Sequence, residues 1–457
     1  MRLDEFLEGF ERDEAAEQRR LAREKSYEIT NYLEDFERQF EDVVQGDSLF
    51  GSTAPSIFVG HANYPTVSTG LLSPVGNEER AADFVTTGDW YERGYGISDV
   101  FERRTGLLNS NQSLDVRSVA TDHGIGSSGS LLDRSPASGT SSSVLGTPAV
   151  HGTPSVHDVW DGFVGVQREV AIADRPVDVE IGLAGRPKLD IGLDDVAEPN
   201  GPRARAQSAD LAENPRVPKP IEKTLSDDDW RAEGAMAYLY RRGFDVYEIN
   251  RILSAGALGE SAQRRLVPTR WSITAVDDTI GNFLRGGLRN VPSVDTVEVW
   301  ANEYVGNRYW VILAPGRWEY ELVEMKAPGS IWNPDPAAGV YVAADYEGSE
   351  GRTQYVDGGT AGAYYAARLG VLEHLTERGR QAKVLVLRHV SDEYWGPVGV
   401  WQIRESVRHA FEGERGEAET FHDAVAELVP HLPISMERLR RSSEMASGLQ
   451  VTLSDFG

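Results

Sequence analysis

The sequence predicts an α+β protein of two lobes, on three observations. "PVDVEIGL" sets Val177, Val179 and Ile181 against Asp178 and Glu180, the period-2 alternation of a half-buried strand. "VDTVEVWANEY", "RYWVILAP" and "WEYELVEMKAP" are joined by Val305-Gly306-Asn307 and Pro315-Gly316-Arg317, and read as an antiparallel meander. Helical patterns over 227–242, 245–254, 358–378 and 399–411 accompany these strands, with further strands in "AGVYVAADYEG" and "AKVLVLRHV". At 457 residues, 40% hydrophobic and 9% aromatic, the chain is long and apolar enough for more than one core.

Taken in order, residues 1–46 carry an apolar stripe (Leu3, Phe6, Leu7, Phe10, then Leu21, Tyr27, Ile29, Leu33, Phe36, Phe40) among charges, and are expected to form a charged helical segment. Residues 47–225 form a loop- and strand-rich first lobe, with Pro55, Pro65 and Pro74 fixing the path and a Ser/Gly/Thr/Pro-rich mobile excursion over 124–158. Another proline-rich stretch, 199–220, separates the strand at 177–183 from the helical patterns that begin at 227. Residues 226–435 are a helix pair followed by an α+β lobe, in which the second lobe's strands form an antiparallel sheet, and 436–457 are a flexible tail.

The formal charge is −26, and only six lysines stand among 46 basic residues. Carboxylates keep a surface hydrated where lysine stems expose methylenes, so this balance points to a halophilic habitat. In molar salt the Debye length falls to about 3 Å, and net charge then no longer excludes a nucleic-acid partner. There is no cysteine, no signal sequence and no apolar run approaching a membrane span, so a cytoplasmic protein without disulfides or membrane contact is expected.

Several stretches carry candidate chemistry. "GHANYP", 60–65, is a stiff loop that would present Gly60, Asn63 and Tyr64 to a ligand; the plainer reading is a crossover between core elements. In "LVPTRWSITAVDDTIG", Arg270 and Trp271 put a phosphate-forking cation beside a stacking ring, although neighbours in a strand face opposite ways. In "EMKAPGSIWN" and "AADYEG", Glu324, Lys326, Asp345 and Glu347 gather carboxylates and a lysine at a sheet end, as metal-dependent phosphodiester sites do; solvated strand-end charges are the plainer reading. "DGGTAGAYYAARLG" offers Gly358 and Gly359 amides to phosphate, with Tyr364 and Arg368 on one helical face, against the plainer reading of a helix cap. His389 is the one histidine in a site-like place, and no histidine pair has metal spacing, so no zinc site is expected. Gly124 to Gly129 matches a dinucleotide glycine pattern literally, but Pro136 stands where a helix should run.

The chain closes on "QVTLSDFG", in which Gln450, Leu453 and Phe456 share one face of a 3₁₀ turn. This resembles the peptide that binds the PCNA sliding clamp. Gly457 stands where that peptide has a second aromatic, whose absence forgoes about 1.5–3 kcal/mol of burial. With "GDSLFGSTAPSIFVG", "YPTVSTGLLSPV", "VPTRWSITAVDDT", "EMKAPGSIWN" and "GPVGVWQIRE", the whole chain resembles the archaeal Nre family of DNA-repair proteins. The resemblance implies a response to DNA damage, with the clamp and DNA as partners. The amino-terminal Cys-type zinc segment that some members carry is not expected to transfer here, since Met1 leads into the charged helix without cysteine. Two classes of function stay open: an enzyme hydrolysing phosphodiesters or nucleotides, with a divalent metal at Glu324, Asp345 or Glu347 assisted by Lys326 and Arg270, and a non-catalytic adaptor that binds DNA and clamp.

Overall fold

The structure is a computed structural model and describes residues 48–76, 78–119, 162–185, 201–356 and 359–449. The expected charged helix at 1–46, the excursion at 124–158, Gly358 and the clamp-type residues Gln450, Leu453 and Phe456 lie outside the described residues.

Two mixed six-stranded sheets organise the α+β fold. The first contains β1 (Ser48–Thr53), β2 (Ile57–Val59), β3 (Thr66–Pro74), β4 (Leu107–Asp115), β5 (Val177–Leu183) and β6 (Arg203–Leu211), in the order β1-β5-β6-β4-β3-β2. Its inner face, with Leu49, Ile57, Val67, Leu71, Val179 and Ile181, packs on Val166 and Val170. Between β4 and β5 runs helix α2 (Phe163–Ile172), which carries those valines; α1 (Ile97–Thr105) precedes β4. The proline-rich separator expected at 199–220 contains β6 instead. In "RARAQSADL" the buried positions are Ala204, Ala206 and Ala209, too small to announce a strand by hydrophobicity.

The second sheet contains β7 (Val297–Tyr304), β8 (Asn307–Ala314), β9 (Glu319–Lys326), β10 (Tyr341–Glu347), β11 (Lys383–Val390) and β12 (Gly416–Ala418), in the order β10-β9-β11-β8-β7-β12. Strands β7 and β8 form the expected hairpin, turning at Val305 and Gly306, both at positive φ. The expected antiparallel meander stops there, because β11 enters between β8 and β9, antiparallel to the first and parallel to the second. "KVLVLRHV" is apolar on both faces, which suits a central strand covered on both sides.

Those covers are two helical layers. Helices α3 (Lys219–Ser226), α4 (Ala232–Arg241), α5 (Val246–Ser254), α6 (Thr269–Leu288), α7 (Ala361–Arg378) and α8 (Trp401–Ala410) contribute to the core over one face, against Tyr309, Val311, Tyr320 and Val384. On the other face α9 (Phe421–Leu428), α10 (Met436–Ser442) and α11 (Glu444–Ser447) meet Val299, Ile312, Val323 and Leu387. The flexible tail expected from 436 is therefore docked through 449. Its anchor is the buried Glu321, which accepts from Ser443 Oγ at 2.6 Å, Glu444 N at 2.7 Å and Met445 N at 2.9 Å. No described helix is long and apolar enough to cross a membrane.

The two lobes meet at several places, two of which bear on the site. Ile97, Val100 and Phe101 of α1 pack with Val390, Tyr394, Val398 and Trp401. The Val59 amide of β2 donates to Thr269 Oγ1 at the start of α6, at 3.0 Å.

Candidate nucleic-acid interface

Helix α6 follows Pro268, and its first turn is fixed by hydroxyl contacts. Thr269 Oγ1 lies 3.3 Å from Ser254 Oγ of α5, which itself donates to the Val267 carbonyl. Ser272 Oγ donates to Asn250 Oδ1 and to the Thr269 carbonyl. With Thr269 and Ser272 turned inward, the 100° step of a helix sends Arg270 and Trp271 out to solvent, and both are exposed. The strand geometry that would have separated them does not apply, since "VPTRWSIT" begins a helix.

The 60–65 loop arrives at the same place from the first sheet. Gly60 N is held by the Ser68 carbonyl at 2.7 Å and Tyr64 N by the His61 carbonyl at 3.2 Å, while the Pro65 carbonyl accepts from Val116 N at 2.9 Å. Tyr64 and Trp271, 43% and 45% exposed, bring their rings within 5.1 Å at 52°, and His61 stands 6.4 Å from Trp271. Asn63 is exposed beside them in sequence. Two stretches some 200 residues apart thus form one open aromatic platform, and the exposed Arg270 adjoins it in sequence. Such a surface binds by stacking, since every nucleobase offers a π-face.

The other candidate residues lie elsewhere and are internally paired. Glu324 faces Ala343 across the β9–β10 ladder, so Glu324, Lys326, Asp345 and Glu347 do share one face, the one covered by α7. Glu324 pairs with Arg388 and, at 3.2 Å, with Lys326, whose Nζ also donates to the Gly359 carbonyl at 2.8 Å. Arg388 in turn donates to Asn307 Oδ1. Glu347 accepts from Arg368 Nε at 2.9 Å and Trp318 Nε1 at 2.8 Å. Asp345 accepts from Thr360 Oγ1 and lies 3.8 Å from Arg352. Among the described residues no three His, Asp or Glu side chains gather as metal ligands would.

Arg368 is buried and fully engaged, donating also to Asp278 at 2.9 Å and Asn282 at 2.6 Å. Burial works against its charge, but Glu347 and Asp278 outweigh it and hold its pKa above the ordinary arginine value. Tyr364 is also buried, edge-on to Tyr320 at 5.0 Å, and desolvation pushes its hydroxyl pKa upward. Neither side chain reaches the platform. Buried side chains run around most of α7, because this helix lies between the second sheet and helices α6 and α8. His389 is held neutral, its pKa pushed down to about 4 by burial and then by Arg308.

The structure adds residues that sequence reasoning passed over: His61, and Phe58 on β2 with the Arg203 guanidinium 5.9 Å over its ring. The alternation of Arg203 and Arg205 with alanines is the signal that could have found the latter pair.

Residues 21–136 and 144–333 match the family model described as Archaeal Nre, N-terminal, and residues 347–456 match Archaeal Nre, C-terminal. The chain is 63% identical over 458 residues to a "DNA repair protein NreA" of Haloferax volcanii, spanning 100% of both chains. It is 32% identical over 388 residues to a protein of the same name from Archaeoglobus fulgidus, covering 85% of this chain and 86% of that one. A "DNA repair protein NreB" of A. fulgidus is 38% identical over 294 residues, 64% of this chain and 74% of its own. No solved structure matches.

Proposed function

We propose, from the premise that this chain belongs to the archaeal Nre family, that it acts in DNA repair by holding nucleic acid on the Tyr64–Trp271 platform while its tail engages the sliding clamp. The DNA-repair role follows the names of its relatives. The observation that carries the nucleic-acid reading is the exposed ring pair 5.1 Å apart, with Arg270 adjoining it in sequence. The clamp reading is supported by Gln450, Leu453 and Phe456 at clamp-peptide spacing.

An adaptor accounts for these features better than a hydrolase does. General acid–base or metal chemistry needs a carboxylate that can reach substrate, whereas Glu324, Asp345 and Glu347 are each engaged with internal partners. Trp271→Ala tests the platform by oligonucleotide titration in molar KCl. Base–aromatic stacking is worth about 1–3 kcal/mol, so affinity should fall at least about fivefold with the melting temperature unchanged. Equal affinity would refute the site. Metal-dependent turnover of labelled DNA by the same preparation, lost in Glu347→Gln without loss of stability, would favour the hydrolase.

A further inference from the structure

We propose that the platform is one end of a track for single-stranded nucleic acid that continues across the outer face of the first sheet to Arg203 and Arg205. The inference rests on the platform being the nucleic-acid site, and it names the class of ligand.

The register lays out the track. Phe58 faces Gly70, Gly70 faces Asn111, and Asn111 faces Arg205, so these four form one row across β2, β3, β4 and β6. Asn109 and Arg203 face each other in the next row on the same side. This is the side away from the apolar core, and Arg203, Arg205 and Gln207 are all exposed on it. The Arg203 guanidinium reaches back to within 5.9 Å of the Phe58 ring. Gly60 passes against that same ring, where a Cβ would stand 3.4 Å from it. The chain then leads straight into His61 and Tyr64, whose rings meet Trp271. Two arginines followed by four rings, Phe58, His61, Tyr64 and Trp271, therefore lead from β6 to α6.

Charge argues for the occupant. In a chain of net charge −26, Arg203 and Arg205 stand exposed on this face and the exposed Arg270 adjoins Trp271 in sequence, and no described residue forms an ion pair with any of them. Glu180 and Asp210, opposed across β5 and β6, make the face acidic beyond Arg205, which ends the track at β6 by repelling a phosphodiester backbone. Asp115, capping Arg117 N at 2.8 Å, bounds it at the end of β4. The rings argue for a single strand, because a duplex encloses the base faces that aromatic side chains stack on. From β2 to β6 is three strand spacings, about 14 Å. With the platform added, the footprint is about four to six nucleotides, within the range of other sheet-based single-strand binders.

Fluorescence anisotropy in molar KCl, with labelled oligothymidylates of four to twelve nucleotides and a blunt duplex, tests the track. The wild-type protein should gain affinity up to about six nucleotides, then level off, and bind the duplex at least about tenfold more weakly. Arg203→Ala/Arg205→Ala, both at exposed positions, should leave the tetranucleotide unaffected and weaken the octanucleotide at least about threefold, flattening the length dependence. Wild-type behaviour of this double variant at every length, with Trp271→Ala still weakened, would overturn the track and leave the platform standing. No effect of Trp271→Ala would overturn both. A duplex bound as tightly as the single strand would overturn the ligand class.

Discussion

Replacing Arg368 by methionine separates a structural role for the β9–β10 charges from a chemical one. Methionine keeps an apolar stem in the space but removes three hydrogen bonds, to Glu347, Asp278 and Asn282. Glu347, 2% exposed, keeps Trp318 Nε1 as a donor but loses its counter-charge. Breaking a buried ion pair from one side costs about 3–5 kcal/mol, since the remaining charge is uncompensated. Three charge-assisted bonds at about 1.5 kcal/mol each give the same size. In a chain this long that is a fall of about 3–5 °C in Tm. Arg368→Met/Glu347→Gln should recover about 2 kcal/mol of it, because the neutral amide still accepts from Trp318 and no charge is stranded. Urea unfolding in molar KCl, with oligonucleotide binding measured on the folded fraction, reads both quantities. An Arg368→Met protein that unfolds like wild type yet loses binding or turnover would refute the structural assignment and return Arg368 to a ligand site.

Phe456→Ala should weaken clamp binding at least about tenfold, or about 1.4 kcal/mol, without moving Tm; unaltered titration at high salt would detach the tail from clamp recruitment. Glu321→Ala should cost about 2–4 kcal/mol by stranding three donors, and amide exchange at 443–449 should rise selectively; unchanged protection there would mean that Glu321 is not the anchor. His374 stacks on Phe411 at 3.8 Å, with its pKa pushed down to about 4 by burial and then by Arg378. The neutral ring's stability is whole above the unfolded value of about 6.5 and is lost as pH falls toward 4. His374→Gln should therefore lessen the loss between pH 7 and 4.5 by about 1–2 kcal/mol, discounted for partial exposure; an identical pH dependence would refute it.

The legible parts of the fold were those written in large apolar side chains. Val177, Val179 and Ile181 announced β5, and the β7–β8 hairpin was readable from its strands and its Gly306 turn. Strand β6 was hidden because its inward face is alanine. The place of β11 was hidden because pairing order is a long-range property, whereas periodicity reports only which faces are covered. In the candidate site, the meeting of "GHANYP" with Trp271 was readable from two constrained polar stretches. Tyr364 and Arg368 were not separable from them by residue type, because a cation and a ring serve a buried ion pair and aromatic core as well as a ligand. The docking of 443–449 was hidden because its anchor is a glutamate on a strand that reads as core.

The late entry of β11 has a consequence for how the chain is made. Strands β8 and β9 are complete by residue 326, but the strand that joins them spans 383–390. During synthesis both would emerge with inner edges unpaired and wait for about sixty more residues before the ladder can close. The sequence matched by the N-terminal family region ends at 333 and β11 lies in the C-terminal one, so the two regions share a single sheet and must fold together. A ribosome stalled between them would hold an open cleft in the middle of a core, the kind of exposed strand edge on which nascent chains aggregate and chaperones act.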